Sequence, residues 1–359
     1  MKTAADIIES PKSSCFDQFD EQLQVLTKRA DYDEAWPEDS LQLCRQFGVF
    51  RWFCDSKWGG LGWSEREIQE GFLRLANVSL TTAFVLTQWV GATQRIQRSE
   101  NESIKAKLLP RLAQGELFAT LGISHLTTSQ QHTGQPAVTA EKTSSGFFLS
   151  GAIPWVTGAN HADWFVGGAA LDDGTQLLFA MNAIKPGVSV DSPIPLVAFS
   201  GSDTAIVRFD RAFLREAEVL AGPIENVLSA GVGSRTGGLQ TSALALGLCK
   251  TAINYLQEES RNRSSLVDAA ARLDAECKHL EQELLTITSG GAACSTETLR
   301  ANSNSLVLRA TQSALIAAKG AGFVATHPAG RWCRQALFFL VWSCPQPVVN
   351  ATLHELTQA

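Results

Sequence analysis

The chain has 359 residues, a formal net charge of −6, 45% hydrophobic residues and 18% charged residues. This composition is typical of a globular protein with room for two or three domains, and it argues against extensive disorder. The acidic balance argues against a surface for nucleic acid or anionic membrane. The longest apolar run, 336–342, is too short to span a bilayer, and the N-terminus lacks the apolar segment of a secretory signal. We therefore expect a cytoplasmic protein.

The eight cysteines and six histidines form neither a C-x-x-C pair nor an H-x-x-x-H pair. In a chain of this size the cysteines are predicted to be buried thiols rather than a disulfide framework. No metal site is expected from these spacings.

The first third of the chain, 14–119, has the apolar spacing of helices. A loop is predicted at 57–63, where three glycines fall within four residues. Ser64 and Glu67 then have the spacing of a capping box that opens the next helix. The segment 79–93 is nearly all apolar or small, which predicts a central buried helix.

The middle of the chain, 120–222, has a different pattern, with short alternating runs between Gly, Pro, Asp and Ser. Such alternation is typical of strands joined by turns. Four strands are predicted from this pattern, within 147–151, 164–171, 173–181 and 205–210.

Helical periodicity returns after residue 237. A stripe of apolar residues steps by four and three along 266–287, with charges on the opposite face. Further helices are predicted at 237–263, 304–319 and 329–342, and the last is expected to stop at the two prolines that follow. The chain as a whole therefore predicts an α–β–α order.

Several short motifs occur in a fixed order along most of the chain: K-W-G-G-L-G at 57–62, L-L-P-R-L-A-Q-G-E at 108–116, G-I-S-H at 122–125, the stretch 140–158 that ends in W-V-T-G, F-S-G-S-D-T at 199–204, G-A-G-F at 320–323 and R-W-C-R-Q-A at 331–336. In this order and spacing they resemble the acyl-CoA dehydrogenase superfamily of flavoproteins. No single motif is decisive, but their common register is a strong signal.

The resemblance implies an α+β multidomain fold in three parts. These are an α-helical N-terminal domain over 1–118, a middle β-barrel-like domain over 119–222 and a C-terminal four-helix bundle over 223–359. It further implies FAD as cofactor, an acyl thioester as substrate and a homodimer or homotetramer.

The same resemblance assigns residues to the flavin. Trp155, Val156 and Thr157 stand where the family's W-I-T contacts the isoalloxazine edge, with Trp155 beside the ring and Thr157 near the hydride-accepting nitrogen. An aromatic side chain offers stacking area, and an amide with a hydroxyl can stabilise negative charge on a reduced flavin. Ser124 keeps the hydroxyl that the family uses on the pyrimidine side. The alternative reading is a strand end with a core tryptophan.

His125 replaces a glutamate of the family in this cofactor-facing segment, has no assigned role, and is expected to be a surface or loop histidine. The following residues replace a glycine-rich turn that serves the cofactor in the family. Substitute donors in this segment are Thr127, Thr128, Ser129 and Gln131.

For the ADP part of a neighbouring subunit's FAD, the resemblance points to Arg263, Gly320 and Gly322. An arginine suits a pyrophosphate, whereas the alternative for Arg263 is a simple helix-surface charge. The family's usual glutamine and first glycine are replaced by Ile316 and Lys319, so this half of the cofactor site departs from the pattern.

The largest departure is at the catalytic base. Counted from Arg334, the family's base position is occupied by Ser343, between Trp342 and Cys344. A serine hydroxyl does not accept a proton usefully without a base of its own. The segment 231–248, where other members carry the base, has no Asp or Glu.

Three hypotheses follow. The first is an FAD-dependent oxidoreductase that oxidises a CH–CH group of an acyl thioester with an altered base. The second is a flavin monooxygenase on the same fold, with reduced FMN or FAD as co-substrate. The third is a non-catalytic homologue that serves in binding or assembly.

Overall fold

The structure is a computed structural model that describes residues 7–127, 136–231, 238–291 and 294–357. Among these residues, five α-helices come first: α1 (Cys15–Asp33), α2 (Glu38–Gln46), α3 (Glu65–Val78), α4 (Leu80–Arg98) and α5 (Glu102–Ala113). A one-turn helix, α6 (Ser124–Thr127), lies within the β-rich middle. The last five are α7 (Leu239–Ser260), α8 (Val267–Thr288), α9 (Thr296–Ala318), α10 (Pro328–Phe338) and α11 (Gln346–Thr357).

The predicted capping box is confirmed at the start of α3. The Ser64 hydroxyl accepts from the Glu67 backbone N–H at 3.4 Å, and the Glu67 carboxylate accepts from the Ser64 backbone N–H at 2.8 Å. Two N–H groups that the helix itself leaves without partners are thereby satisfied. The next helix, α4, is buried along nearly its whole length, as its apolar and small residues predicted.

Within the described part of the middle region there are eight strands: β1 (Ala119–Gly122), β2 (Val138–Lys142), β3 (Gly146–Val156), β4 (Trp164–Ala170), β5 (Gln176–Asn182), β6 (Val188–Val190), β7 (Ala205–Arg215) and β8 (Val219–Ile224). They lie in the order β6-β7-β3-β2-β4-β5-β8, and β1 pairs with β4 beside this path. The β1–β4 and β2–β4 pairings are parallel and the others are antiparallel.

Strand β4 separates two hydrophobic cores. Phe165 belongs to a core enclosed by the sheet itself, whereas Trp164 and Val166 belong to a core shared with the helices. Because successive side chains of a strand point to opposite faces, β4 is covered on both sides. This explains why its sequence is a continuous apolar run.

The N-terminal and C-terminal helices share one of these cores. They approach closely at Gly247 of α7, where an added Cβ would lie 2.5 Å from the Cβ of Ala76 on α3. Next to it, the Thr251 hydroxyl donates to the Asn77 carbonyl at 2.6 Å. Glycine is therefore required at this crossing, and it brings the C-terminal helices directly onto the first helices.

Two predicted helix boundaries were wrong. Helix α9 starts at Thr296, well before residue 304, because Ser295 caps it and accepts from the Thr298 N–H at 3.1 Å. Helix α10 ends at Phe338, and the prolines after it open a further helix, α11, that was not predicted. Pro347 lies in the first turn of α11, where a missing N–H costs nothing. Strands β1, β2, β6 and β8 were also not predicted.

All eight cysteines are free thiols, five of them buried and three partly buried. Among the helices that the structure describes, none combines the length and apolarity needed to cross a membrane. Within the same residues, no group of three or more His, Cys, Asp and Glu side chains is placed to hold a metal ion.

Candidate functional site

The end of β3 presents one open aromatic side chain among buried neighbours. We call Trp155, Val156 and Thr157 the sheet corner. Trp155 is 54% exposed, whereas Val156 and Thr157 are 1% and 5% exposed. Val156 belongs to the core of the sheet, so the alternation of the strand directs Trp155 outward. The alternative of a core tryptophan is therefore wrong, and the corner offers a flat apolar surface.

Thr157 is held by a short chain of hydroxyl groups. Its Oγ1 lies 3.2 Å from Thr204 Oγ1, which lies 2.9 Å from Ser202 Oγ. The Thr157 carbonyl accepts from the Thr120 hydroxyl at 2.6 Å. Since a hydroxyl can both donate and accept, a bond donated by Thr204 would leave the Thr157 proton for a further acceptor.

Strand β1 packs closely against the same corner. An added Cβ at Gly122 would lie 2.8 Å from Ile153 and 3.0 Å from Val156. Ser124, two residues on, is exposed at the start of α6. The structure thus brings Ser124 to the segment that follows the strand beside the sheet corner.

His125 is buried, which contradicts the expected surface or loop histidine. Its Nε2–H donates to the Gly168 carbonyl at 3.0 Å, and burial lowers the pKa of the ring below its ordinary value. Gly168 also leaves room for Leu126, since an added Cβ there would lie 2.3 Å from that side chain. These contacts give His125 a structural role that fastens α6 to β4. The predicted donors Thr128, Ser129 and Gln131 lie outside the described residues, and so does the side chain of Thr127.

The residues assigned to the ADP part of the cofactor follow two of the C-terminal helices, Arg263 after α7 and the two glycines after α9. Near the end of α7, the Tyr255 ring packs against His327 and Trp332, on the segment that follows Gly320. Arg263, just beyond α7, forms an ion pair with Glu259.

The two glycines of this region differ. Gly320 is exposed, with nothing within 4 Å of an added Cβ, whereas an added Cβ at Gly322 would lie 2.7 Å from Leu315. Gly322 therefore serves close packing. Ile316, at the position of the family's glutamine, is exposed.

The position of the expected base lies in a turn after α10. We call residues 339–345 the C-terminal turn. Its Trp342 stacks on Phe338 with ring centroids 5.4 Å apart and meets Phe84 of α4 edge-on at 5.0 Å. Phe199 packs against both Phe84 and Phe338, at 5.2 Å and 5.0 Å. We call Phe84, Phe199, Phe338 and Trp342 the aromatic cluster. Ser343 follows it with a left-handed backbone, φ 51°.

A buried cation holds the C-terminal turn. Arg300 of α9 is 1% exposed, and its Nη2 donates to the carbonyls of Phe339 and Trp342 at 3.3 Å and 3.0 Å. The Asn304 amide donates to the same Phe339 carbonyl at 3.0 Å. Burial lowers the pKa of Arg300 to about 10, so it stays charged near neutral pH. A cation suits these carbonyls, because the end of a helix carries partial negative charge.

Sequence reasoning missed Arg300 and Asn304. They are four residues apart on the face of α9 that also carries Leu299 and Val307. This spacing could have shown a buried polar pair, but the helix was predicted to begin at 304, which excluded Arg300.

In the described residues, helices, an eight-stranded sheet and a second set of helices surround a shared core. This order of elements defines the class of fold, which is that of acyl-CoA dehydrogenases. Comparison with known proteins agrees with this class. The chain is 26% identical over 260 residues to an acyl-CoA dehydrogenase of Bacillus subtilis (strain 168), covering 66% of this chain and 67% of the relative. No family model matches the chain.

Two solved structures have the same fold over nearly the whole chain. Butyryl-CoA dehydrogenase from Megasphaera elsdenii superposes with a TM-score of 0.82 at 17% identity, covering 95% of this chain and 96% of that one. A glutaryl-CoA dehydrogenase from Mycobacterium smegmatis, in complex with FADH2, gives a TM-score of 0.77 at 15% identity, with coverage of 95% and 96%. These findings confirm the predicted fold, which is that of acyl-CoA dehydrogenases.

Proposed function

We propose that the protein is a flavin-dependent oxidoreductase with FAD as cofactor, acting on a CH–CH group of an acyl thioester. The observation that supports this most directly is the exposed Trp155 at the sheet corner. A large aromatic surface next to buried residues is the wall that an isoalloxazine ring needs. The Bacillus subtilis relative is named as an acyl-CoA dehydrogenase, and the Mycobacterium smegmatis structure holds FADH2.

The residues of the sheet corner fit a flavin. Trp155 would pack against the ring, Thr157 would donate its hydroxyl proton to it, and Ser124 would bind the pyrimidine edge. When bound, a flavin supplies the acceptor for the hydride that leaves the β-carbon of the thioester. The hydroxyl chain from Ser202 through Thr204 keeps Thr157 in place for this contact.

The ADP part of the site is supported more weakly. Gly320 is open to a ligand from a second subunit, in a homodimer or homotetramer, and Arg263 follows α7. Arg263 would have to exchange its ion pair with Glu259 for a pyrophosphate. Gly322 is left out of this role, because its lack of a side chain is already needed for packing against Leu315.

Removal of the α-proton is the step that this chain supports least. Ser343 stands at the position of the base, and the group that hydrogen-bonds the C-terminal turn is the cation of Arg300. Loss of a positioned base costs about two to four powers of ten in rate. We therefore expect slow dehydrogenation with ordinary acyl thioesters.

The same observation favours a second function, a flavin monooxygenase that takes reduced FMN or FAD as co-substrate. In that chemistry no α-proton is removed, so a serine at position 343 would not matter. A purely structural homologue is favoured less, because it has no need for an exposed tryptophan at the sheet corner.

Flavin binding tests the proposal through Trp155. We expect Trp155→Ala to weaken FAD binding about tenfold in a fluorescence titration, since one aromatic contact is lost. Phe148→Ala is the control, because Phe148 is a half-buried aromatic on the same strand, packed against Phe213 away from the corner. Equal affinities for the wild type and both variants would contradict the flavin wall.

The reaction is tested with the purified full chain. Anaerobic bleaching of a yellow, flavin-bearing protein by an acyl thioester supports dehydrogenation. Uptake of added reduced flavin with consumption of oxygen supports the monooxygenase. Protein that binds neither oxidised nor reduced flavin would exclude both.

A further inference from the structure

A cleft lies where the start of α4, the loop before β7 and helix α10 meet. It is lined on one side by Thr81 of α4 and on the other by Arg331, Arg334 and Gln335 of α10. It adjoins the aromatic cluster through Phe199, and it uses none of the residues assigned to flavin. The cleft is therefore a site separate from the one proposed for flavin.

The start of α4 brings partial positive charge to this cleft. The helix has 19 residues and no acidic side chain in its first turn. Ser79 caps it by accepting from the Thr82 N–H at 3.4 Å. The other first-turn N–H groups have no partner within the helix itself, and together they attract an anion.

Two buried polar side chains face the cleft without a partner. Gln335 is 4% exposed and Thr81 is 8% exposed. Among the residues that the structure describes, neither the Gln335 amide nor the Thr81 hydroxyl forms a hydrogen bond. Neither group is among the fully enclosed polar atoms that lack a partner, so the polar atoms of both side chains open onto the cleft. A polar ligand in the cleft has both groups available for hydrogen bonds.

The charges beside the cleft indicate the sign of that ligand. Arg331 and Arg334 are three residues apart on α10, so they lie on one face of the helix. The one acidic side chain that lines the cleft is Glu34, which is half-exposed and lies 3.7 Å from Arg334. That separation is a loose contact, which a better acceptor can replace. A guanidinium fork matches the oxygens of a phosphate.

We propose that this cleft binds a phosphate group. The Thr81 hydroxyl, the start of α4 and Arg334 supply the donors, and the Gln335 amide completes the set from the buried side. This proposal does not depend on the proposed flavin chemistry, because it shares no ligand-binding residue with it.

Calorimetric titration of the full chain with inorganic phosphate, at constant ionic strength, tests the site. We expect saturable binding by the wild type. Gln335→Glu keeps the size of the side chain but adds a negative charge, and it is expected to weaken binding at least about tenfold. Thr81→Val, which removes only the hydroxyl, is expected to weaken binding less. Circular dichroism checks that each variant is folded. If Gln335→Glu does not fold, the phosphate affinity of Thr81→Val is the deciding measurement.

The matched control is Arg66→Gln on α3, which removes a cation paired with Glu70 at a distant surface. We expect it to bind phosphate as the wild type does. The site would be overturned if phosphate binding by the wild type did not saturate. It would also be overturned if Arg66→Gln and Thr81→Val lost phosphate affinity to the same extent. Acetate bound more tightly than phosphate would overturn the assignment to phosphate.

Discussion

The sheet corner and the C-terminal turn are the two regions that the sequence predicted to hold a flavin and to stand at the position of a base. At the sheet corner, Trp155 is open to solvent while its neighbours are buried. At the C-terminal turn, the aromatic cluster and the buried Arg300 provide packing and main-chain hydrogen bonds.

The two regions therefore differ in what they leave open. The sheet corner exposes an aromatic side chain, whereas the C-terminal turn lies against the aromatic cluster and is held by Arg300, with Ser343 half-buried. The four variants below test how far the two regions differ, from the largest expected effect to the smallest.

Phe84→Ala tests whether the aromatic cluster is true core. Phe84 is buried against three other rings, so its removal is expected to lower the free energy of unfolding by about 3–5 kcal/mol in denaturant titration. The control is Phe323→Ala, because Phe323 is 86% exposed and its loss should change stability by less than about 0.5 kcal/mol. Similar losses in the two variants would mean that the cluster is not tightly packed.

Arg300→Met tests the cation that holds the C-terminal turn. The carbonyls of Phe339 and Trp342 would lose a donor, which is expected to cost about 1–3 kcal/mol of unfolding free energy. The loss of unfolding free energy should lie near the lower end of this range, because burying the Arg300 cation is itself unfavourable and Met removes that cost. Arg309→Met, which removes a surface ion pair with Glu276, should cost less than about 1 kcal/mol. A stabilised Arg300→Met would show that the turn does not need this arginine.

His125 makes the sheet region sensitive to acid. Because burial lowers its pKa below the ordinary 6.5, the unfolded chain takes up the proton first. Its contribution to stability is therefore present above about pH 6.5 and is lost as pH falls, by at most about 1.4 kcal/mol per pH unit. His125→Gln should flatten this slope in unfolding measured from pH 8 to pH 5, whereas His279→Gln on the surface of α8 should leave it unchanged. An unaltered slope in His125→Gln would assign the acid sensitivity to other groups.

Ser343→Gly has the smallest expected effect and the opposite sign. The left-handed backbone at Ser343 disfavours any residue with a side chain, so glycine is expected to raise the free energy of unfolding by up to about 1 kcal/mol. The control is Ser305→Gly within α9, where glycine should instead lower it by about 0.5 kcal/mol. A destabilised Ser343→Gly would mean that the serine side chain has a structural role in the turn.

Local sequence patterns were sufficient to predict those elements whose structure depends on their own residues. The Ser64–Glu67 capping box, the buried α4 and the part of β3 within 147–151 were all predicted from spacing and alternation. Long-range contacts explain some of the failures. His125 is buried and contacts a carbonyl 43 residues away. Arg300 donates to carbonyls 39 and 42 residues away. The start of α9 is a different failure, because its cap at Ser295 is a local signal that was overlooked. The exposure of Trp155 depends on what the rest of the chain leaves uncovered, and no local pattern contains that information.

The contact between Gly247 and Ala76 has a consequence for how the molecule can be divided. With no side chain between α3 and α7, the backbones approach so closely that the first and last thirds of the chain form one structural body, although the sheet separates them in sequence. Neither third is expected to be an independent module that could be transplanted to another scaffold. Recombination between relatives would have to exchange both helical parts together, and an exchanged sheet would still have to match the helices along the face of β4 that shares their core.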